Sequence, residues 1–166
     1  MILTIRPEQP EDVSEIREII KSAFREAPHT NAKEHFLVDL LREKGDLHLS
    51  RVAEQDGHMV GHIAVSSVKL SCGAKNWFGI GPVSMMPDFQ GQGGGSKLIA
   101  STLSQLRDAG AAGCVLVGDP AYYTRFGFRH VSTLTYAGIP EGYFLALSFN
   151  NRYPSGSVTY PDAFSH

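Results

Sequence analysis

The sequence predicts a mixed α/β fold, a central sheet with helices on both faces, and three observations carry that expectation. Hydrophobic periodicity switches between helical and strand spacing in the order β-αα-βββ-α-β-α-ββ, which interleaves strands with helices. The chain has 166 residues, 42% of them hydrophobic, enough to fill one core. No internal repeat, low-complexity run or linker divides it, so a single domain is expected over 1–166, with a core over about 1–150 and a C-terminal tail over 151–166.

Residues 2–6 (ILTIR) read as a short strand ended by Pro7. From Pro10 a helical pattern sets Val13, Ile16, Ile20 and Phe24 on one face; proline suits the first helical position, Asp12 the first turn, and Pro28 stops the helix. A second helix over about 31–43 gathers Phe36, Leu37, Leu40 and Leu41 and ends near Gly45. The period then changes. LHLSRVAE (47–54) and HMVGHIAVSSVK (58–69) alternate as strands joined by the hairpin turn QDG, and SCGAKN leads into WFGIGPVSMM (77–86), a third strand bounded by Pro87. A helix over about 94–109 carries Leu98, Thr102, Leu103 and Leu106 at helical spacing and closes at Gly110 and Gly113. CVLVGDP (114–120) is a buried strand, AYYTRF a short helical turn, and two strands follow at about 127–133 and 143–149. The tail is turn-rich with one strand at 157–160.

Charged residues make up 19% and the formal net charge is −2, with no basic block to mark a nucleic-acid footprint. MILTIRPEQP lacks the charged-then-apolar layout of a signal peptide, and no apolar run approaches membrane length. A cytoplasmic protein with neither nucleic acid nor membrane as partner is therefore expected. Cys72 and Cys114 form no CxxC or Cys/His pattern and are expected as lone thiols, although two cysteines leave a disulfide open. His29, His35, His48, His58, His130 and His166 show no metal-ligand spacing, and no metal is expected.

The stretch MMPDFQGQGGGSKLIA (85–100) crowds glycines into the start of a helix, where each is roughly 1 kcal/mol worse than alanine. A helix N-terminus offers unpaired N–H groups and partial positive charge, and glycines let a bulky anion approach them without meeting a Cβ. A phosphate or pyrophosphate site is one reading; a loose turn is the other. The nucleoside-triphosphate loop GxxxxGK[ST] is absent, because GGGSK puts serine before the lysine. The dinucleotide fingerprint GxGxxG fits poorly: GQGGGS has serine in third place, a PDFQ turn separates it from the strand, and Asp108 lies within the same helix.

What fits is strand–Pro-x-x-Gln-x-x-Gly-x-Gly–helix, with Gln90, Gly93 and Gly95 matching (Gln/Arg)-x-x-Gly-x-(Gly/Ala). In this the chain resembles the GNAT superfamily of acyl-coenzyme A-dependent N-acyltransferases. GPVSMMPDFQGQGGG looks like the family's fourth strand and pyrophosphate loop. CVLVGDPAYYTRFGF looks like its fifth strand and following helix, in the form carried by a bacterial branch of predicted N-acetyltransferases. The element order matches over about 1–150. The resemblance implies a mixed, mostly antiparallel sheet of about seven strands, with a V-shaped splay between the family's fourth and fifth strands where the cofactor's pantetheine arm is held as an extra strand.

Carried over by motif, backbone groups of Val83, Ser84 and Met85 would hold that arm. Amides of Gln90, Gly91, Gln92, Gly93, Gly94, Gly95 and Ser96 would hold the pyrophosphate of acetyl-CoA. The implied reaction is attack of a primary amine of a small molecule or peptide on the thioester, with a backbone amide near Met85 as oxyanion donor and Tyr123 as general acid toward the leaving thiolate. Base candidates are Glu34, on the second helix, and His62, which alternation places with Val60, Ala64 and Ser66. Many relatives carry asparagine after the fifth strand; here Gly118-Asp119-Pro120 stands instead. Asp119 would bind the pantetheine amide, orient the acceptor amine or cap the short helix, roles that do not exclude one another. The groove for the amine is expected from the first two helices, the turn after the fifth strand and the aromatic-rich segment from Tyr136 to Tyr160, in a monomer or homodimer. A non-catalytic acyl-CoA-binding sensor or subunit is the alternative, which would need the loop but not the acid.

Overall fold

The computed structural model describes residues 2–25, 33–140 and 142–165. The stop expected at Pro28, the first residues of the helix expected over 31–43, His29 and His166 lie outside the described residues. The chain runs β1 (Leu3–Pro7), α1 (Val13–Phe24), α2 (Glu34–Glu43), β2 (Leu47–Gln55), β3 (His58–Ser67), β4 (Lys69–Leu70), β5 (Trp77–Met85), α3 (Gly94–Asp108), β6 (Gly113–Val117), α4 (Pro120–Tyr123), β7 (Arg129–His130), β8 (Leu134–Thr135), β9 (Phe144–Ser148) and β10 (Gly156–Thr159).

Seven strands form the main sheet in the order β1-β2-β3-β5-β6-β9-β7. Every neighbouring pair is antiparallel except β5 and β6, the two strands linked by the α3 crossover. The amphipathic helices cover both faces. Leu98, Ile99, Leu103 and Leu106 of α3 bury against Ile63, Val65, Leu116 and Leu145. On the opposite face Ile16, Ile19 and Ile20 of α1 and Val38 of α2 pack on Val52, Met59 and Ala64. At the entry to α1, Asp12 accepts from the Gln9 N–H at 2.7 Å and is gripped by the Arg6 guanidinium at 2.7 and 3.0 Å, while Arg6 also reaches Glu54 at 2.7 Å. That cluster ties the helix start to β1 and β2.

Local departures from simple alternation have visible causes. The β2–β3 register shifts between Ala53↔Gly61 and Glu54↔Met59. Val60 thereby joins the α3-facing core, opposite to the face it was expected to share with His62. The strand expected over 127–133 contracts to Arg129–His130, because the chain turns where the Leu134 N–H bonds the Val131 carbonyl at 3.0 Å. The strand expected through residue 120 stops at Val117, where Asp119 begins to cap α4. The tail strand β10 is the centre of a second sheet, antiparallel to β4 and parallel to β8.

Candidate active site

The parallel ladder between β5 and β6 is short: Trp77↔Gly113, Phe78↔Cys114 and Gly79↔Val115. Beyond it β5 continues to Met85 paired only with β3, while β6 ends at Val117. A register shift between Ile63↔Val83 and Val65↔Ile80 bends β5 at Gly81-Pro82, just where the two strands part. The Met86 N–H donates to Val60 O at 2.8 Å. Because backbone groups alternate along a strand, Ser84 also bonds toward β3, and the N–H and C=O groups of Val83 and Met85 face the opening. The Met85 carbonyl accepts from Gln90 Nε2 at 3.1 Å, fastening the loop to the strand end.

The glycines after Gln90 occupy their places for different reasons. Gly91 (φ 77°) and Gly93 (φ 85°) turn the chain through the left-handed region into α3. A Cβ on Gly94 would meet the Met85 methyl at 2.5 Å, so the end of that side chain would have to move aside to admit one. Gly95 has no such reason: its Cβ would meet only Met85 Cγ at 3.8 Å. Gln92 steadies the turn through Nε2 to Asp88 O at 3.0 Å. The first intrahelical bond runs from the Lys97 N–H to Gly93 O at 3.1 Å, so the amides of Gly94, Gly95 and Ser96 point out of the helix end. Gly93 supplies no side-chain cap, and the first turn carries no acidic residue. This end fits an anion with several acceptor oxygens.

Asp119 caps α4, its Oδ1 accepting from the Ala121 N–H at 2.9 Å. The capping role foreseen for it is therefore the one its contacts display. α4 carries Tyr122 and Tyr123 in edge-on contact, ring centroids 4.9 Å apart. The Tyr122 hydroxyl is hydrogen-bonded to Ser96 Oγ at 2.9 Å, which bridges α4 to the start of α3 across the splay. Tyr123 packs against Phe126 and Phe128, and its ring lies over Gly118, where any Cβ would overlap it. Burial, with the neighbouring Tyr122, raises the Tyr123 phenol above its ordinary range, so it keeps its proton at neutral pH. Among the described residues the Tyr123 hydroxyl meets no hydrogen-bond partner.

The two base candidates stand in different surroundings. Glu34 opens α2, beside a recess lined by Phe36, Leu37, Leu40 and Phe164. His62 is fully buried on the α1/α2 face of β3. Its Nε2 lies 2.8 Å from Ser50 Oγ; Ser50 donates to Glu8, and Glu8 accepts from Arg42 Nε at 2.9 Å. Burial pushes the imidazole down to about 4, against the upward pull of Glu8 and with a smaller downward push from Arg42. Glu8 and Ser50 were not foreseen. The only sequence signal for Ser50 is a polar residue on the β2 face that Val52 buries, and Glu8 gives none. Among the described residues no group of three or more His, Cys, Asp or Glu gathers to hold a metal ion, and no helix is long and apolar enough to cross a membrane. Cys72 is an exposed and Cys114 a buried free thiol.

Comparison with known proteins agrees with this geometry. The profile of the acetyltransferase (GNAT) domain family matches residues 4–131. Uncharacterized N-acetyltransferase YhbS of Escherichia coli K12 is 35% identical over 128 residues, 76% of this chain and 74% of that protein. The crystal structure of a GNAT family acetyltransferase from Brucella melitensis in complex with acetyl-CoA superimposes with a TM-score of 0.87 at 47% identity, over 98% of both chains. That of Escherichia coli YhbS in complex with CoA gives 0.90 at 31% identity, over 99% of this chain and 92% of that one. With a splayed β5/β6 pair, an uncapped glycine-led helix and relatives of this similarity, the chain belongs to the GNAT acetyltransferase family.

Proposed function

We propose that the protein moves an acetyl group from acetyl-CoA to a primary amine of a small molecule or peptide, by direct attack in a ternary complex. The observation that carries this reading is the uncapped start of α3 at the end of a β5 strand whose Val83 and Met85 backbone groups face an open splay. The Brucella melitensis and Escherichia coli relatives, crystallised with acetyl-CoA and CoA, support it. Backbone groups of Val83 and Met85 would line the pantetheine arm, whereas those of Ser84, expected to share that role, turn to β3 instead. Amides from Gln90 to Ser96, foremost Gly94, Gly95 and Ser96, would receive the pyrophosphate. When bound, acetyl-CoA supplies the thioester carbonyl. The amide near Met85 donates to its oxygen, and Tyr123 gives a proton to the departing sulfur. Tyr122 is the less suited acid, since its hydroxyl is already engaged with Ser96. Asp119 stays with the α4 cap at the mouth of the site, and the base is sought between Glu34 and His62.

Isothermal titration with acetyl-CoA, followed by thiol release in the presence of a primary-amine panel, tests the reading. Saturable binding and amine-dependent release are expected, with release about 10²-fold slower in Tyr123→Phe. Binding without consumption by any amine would instead favour a cofactor-sensing module. No binding by folded protein would remove the acyltransferase reading.

A further inference from the structure

Four buried side-chain polar atoms lack a partner among the described residues: His62 Nδ1, Ser66 Oγ, Ser84 Oγ and Tyr160 Oη. Two of them belong to residues on one face of the sheet, for His62 and Ser84 are opposed across β3 and β5 and are 0% and 1% exposed. Burying such groups unpaired is costly, so the pair calls for an occupant. The network on the other side of the ring decides which atom His62 offers. Arg42 grips the Glu8 carboxylate; burial would raise that carboxyl, but hydrogen bonds from Arg42 and Ser50 outweigh it and hold it below its ordinary range. Ionised Glu8 only accepts, so Ser50 spends its one proton there. Ser50 Oγ must then accept from His62, which assigns the imidazole proton to Nε2 and leaves Nδ1 a bare lone pair.

We infer that Glu8 and Ser50 are positioning residues that lock His62 in its Nε2–H form, and that His62 Nδ1 and Ser84 Oγ together seat a water that receives the acceptor amine's proton. This rests on the acyltransferase reading and deepens it. Facing residues of antiparallel strands have Cβ atoms about 5 Å apart, a span that a single water can bridge. Ser84 lies between Val83 and Met85, whose backbone groups face the splay, so this water sits at the strand where the thioester carbonyl is expected. The step balances. The amine nitrogen becomes far more acidic as it bonds the thioester carbon. It then gives a proton to the water, the water gives one to Nδ1, and the nitrogen keeps the electron pair of the broken N–H bond. The imidazolium formed keeps its Nε2–H on Ser50, one hydroxyl away from the Glu8 negative charge, and returns the proton to solvent after turnover. The charged groups acting on His62 are Glu8, from the segment after β1, and Arg42 of α2.

Long-range proton–nitrogen spectra of protein labelled with 15N-histidine test this, with His62 assigned by the signal lost in His62→Gln. The expected spectrum shows Nε2 protonated and Nδ1 bare at neutral pH, with no imidazolium until well below the ordinary histidine range. Ser50→Ala should release the ring into a mixture of tautomers. It should also slow release with any amine that turns over by about 10–100-fold, as groups that orient a functional histidine do, with acetyl-CoA affinity unchanged. Ser50→Thr keeps the hydroxyl and should restore both, and Glu8→Gln should follow Ser50→Ala. A crystal structure should place one water within hydrogen-bond reach of Nδ1 and Ser84 Oγ. A wild type that binds acetyl-CoA but carries its proton on Nδ1, shows no such water, or keeps tautomer and rate in Ser50→Ala overturns this inference alone. A folded wild type that binds no acetyl-CoA overturns the acyltransferase reading and the water's role with it. If no amine turns over, the spectrum and the water still decide.

Discussion

Gly95→Glu separates the two reasons a glycine can stand at a helix start, because it should move stability and affinity in opposite directions. Gly95 is the second residue of α3, and a Cβ there makes only the ordinary 3.8 Å contact with Met85 Cγ. Its backbone is helical, so a side chain brings no strain. Replacing glycine by glutamate in a helix gains about 0.5 kcal/mol in propensity. A carboxylate at the N-terminal end of the macrodipole adds about 0.5 kcal/mol more. The sum, about 1 kcal/mol, raises Tm by roughly 2–4 °C in a domain of this size. Against acetyl-CoA the same carboxylate meets two phosphate charges over a few ångströms. At an effective dielectric constant near 20 that repulsion costs about 2–4 kcal/mol, or a Kd about 30–1000-fold weaker. Thermal unfolding and isothermal titration on one preparation give both numbers. A variant that melts higher yet binds acetyl-CoA with the wild-type Kd refutes the assignment of this helix end to the pyrophosphate. Gly93→Glu is the contrasting case: at φ 85° it loses affinity and also about 1–2 kcal/mol of stability.

Gly118→Ala places a methyl into the Tyr123 ring, 2.8 Å from Cδ2, and the ring must retreat by about 1 Å. A displacement of that size should slow amine-dependent thiol release by about 10²-fold with little change in acetyl-CoA Kd. In a double-mutant cycle Gly118→Ala should add nothing to Tyr123→Phe, and additive losses would show that it acts elsewhere. At the entry to α1, hydrogen bonds from Arg6 outweigh burial and hold the Asp12 carboxyl below its ordinary range. Its stabilising contribution is therefore full above the ordinary aspartate value of about 3.9 and is lost as pH falls through it toward the lower folded value. Asp12→Asn should cost about 2 kcal/mol at neutral pH and flatten the fall of Tm with acid below about pH 5. An unchanged acid limb in chemical denaturation would remove Asp12 from that account.

Legibility in the sequence followed the range of the contacts. The glycine loop was readable because its determinants are local: Gln90 reaches back five residues to the Met85 carbonyl, and Gly93 turns the chain immediately before α3. Tyr123 was singled out through the resemblance, which the Tyr-x-x-x-Gly-Phe ending at Gly127-Phe128 carries, and the α4 cap was readable from Asp119-Pro120. The tail strand was read at 157–160 and lies at Gly156–Thr159, but its partners were not readable, because β10 takes its place from β4, with Ser157 bonded to Ser71 across 86 positions. Neither was the face of Val60, since a register shift reverses alternation without leaving a mark in residue type.

The Glu8–Ser50–His62 chain is the extreme of this kind. Ser50 and Glu8 are 42 residues apart, and Arg42 and Glu8 are 34 apart. No two of these residues form a motif, and each alone reads as an ordinary surface or strand residue. What makes them informative is burial. On a surface a histidine beside a serine exchanges tautomers freely; in an interior closed to bulk solvent each hydroxyl has one proton to give, and an ionised carboxylate claims it. The direction of every hydrogen bond from Glu8 to His62 then follows from the charge that Arg42 imposes on Glu8, and the lone pair left on Nδ1 is the end of that sequence of choices. A network assembled only for stability would gain nothing from leaving that nitrogen and the hydroxyl of the opposed Ser84 unpaired; an apolar pair of the same shape would serve better at this depth.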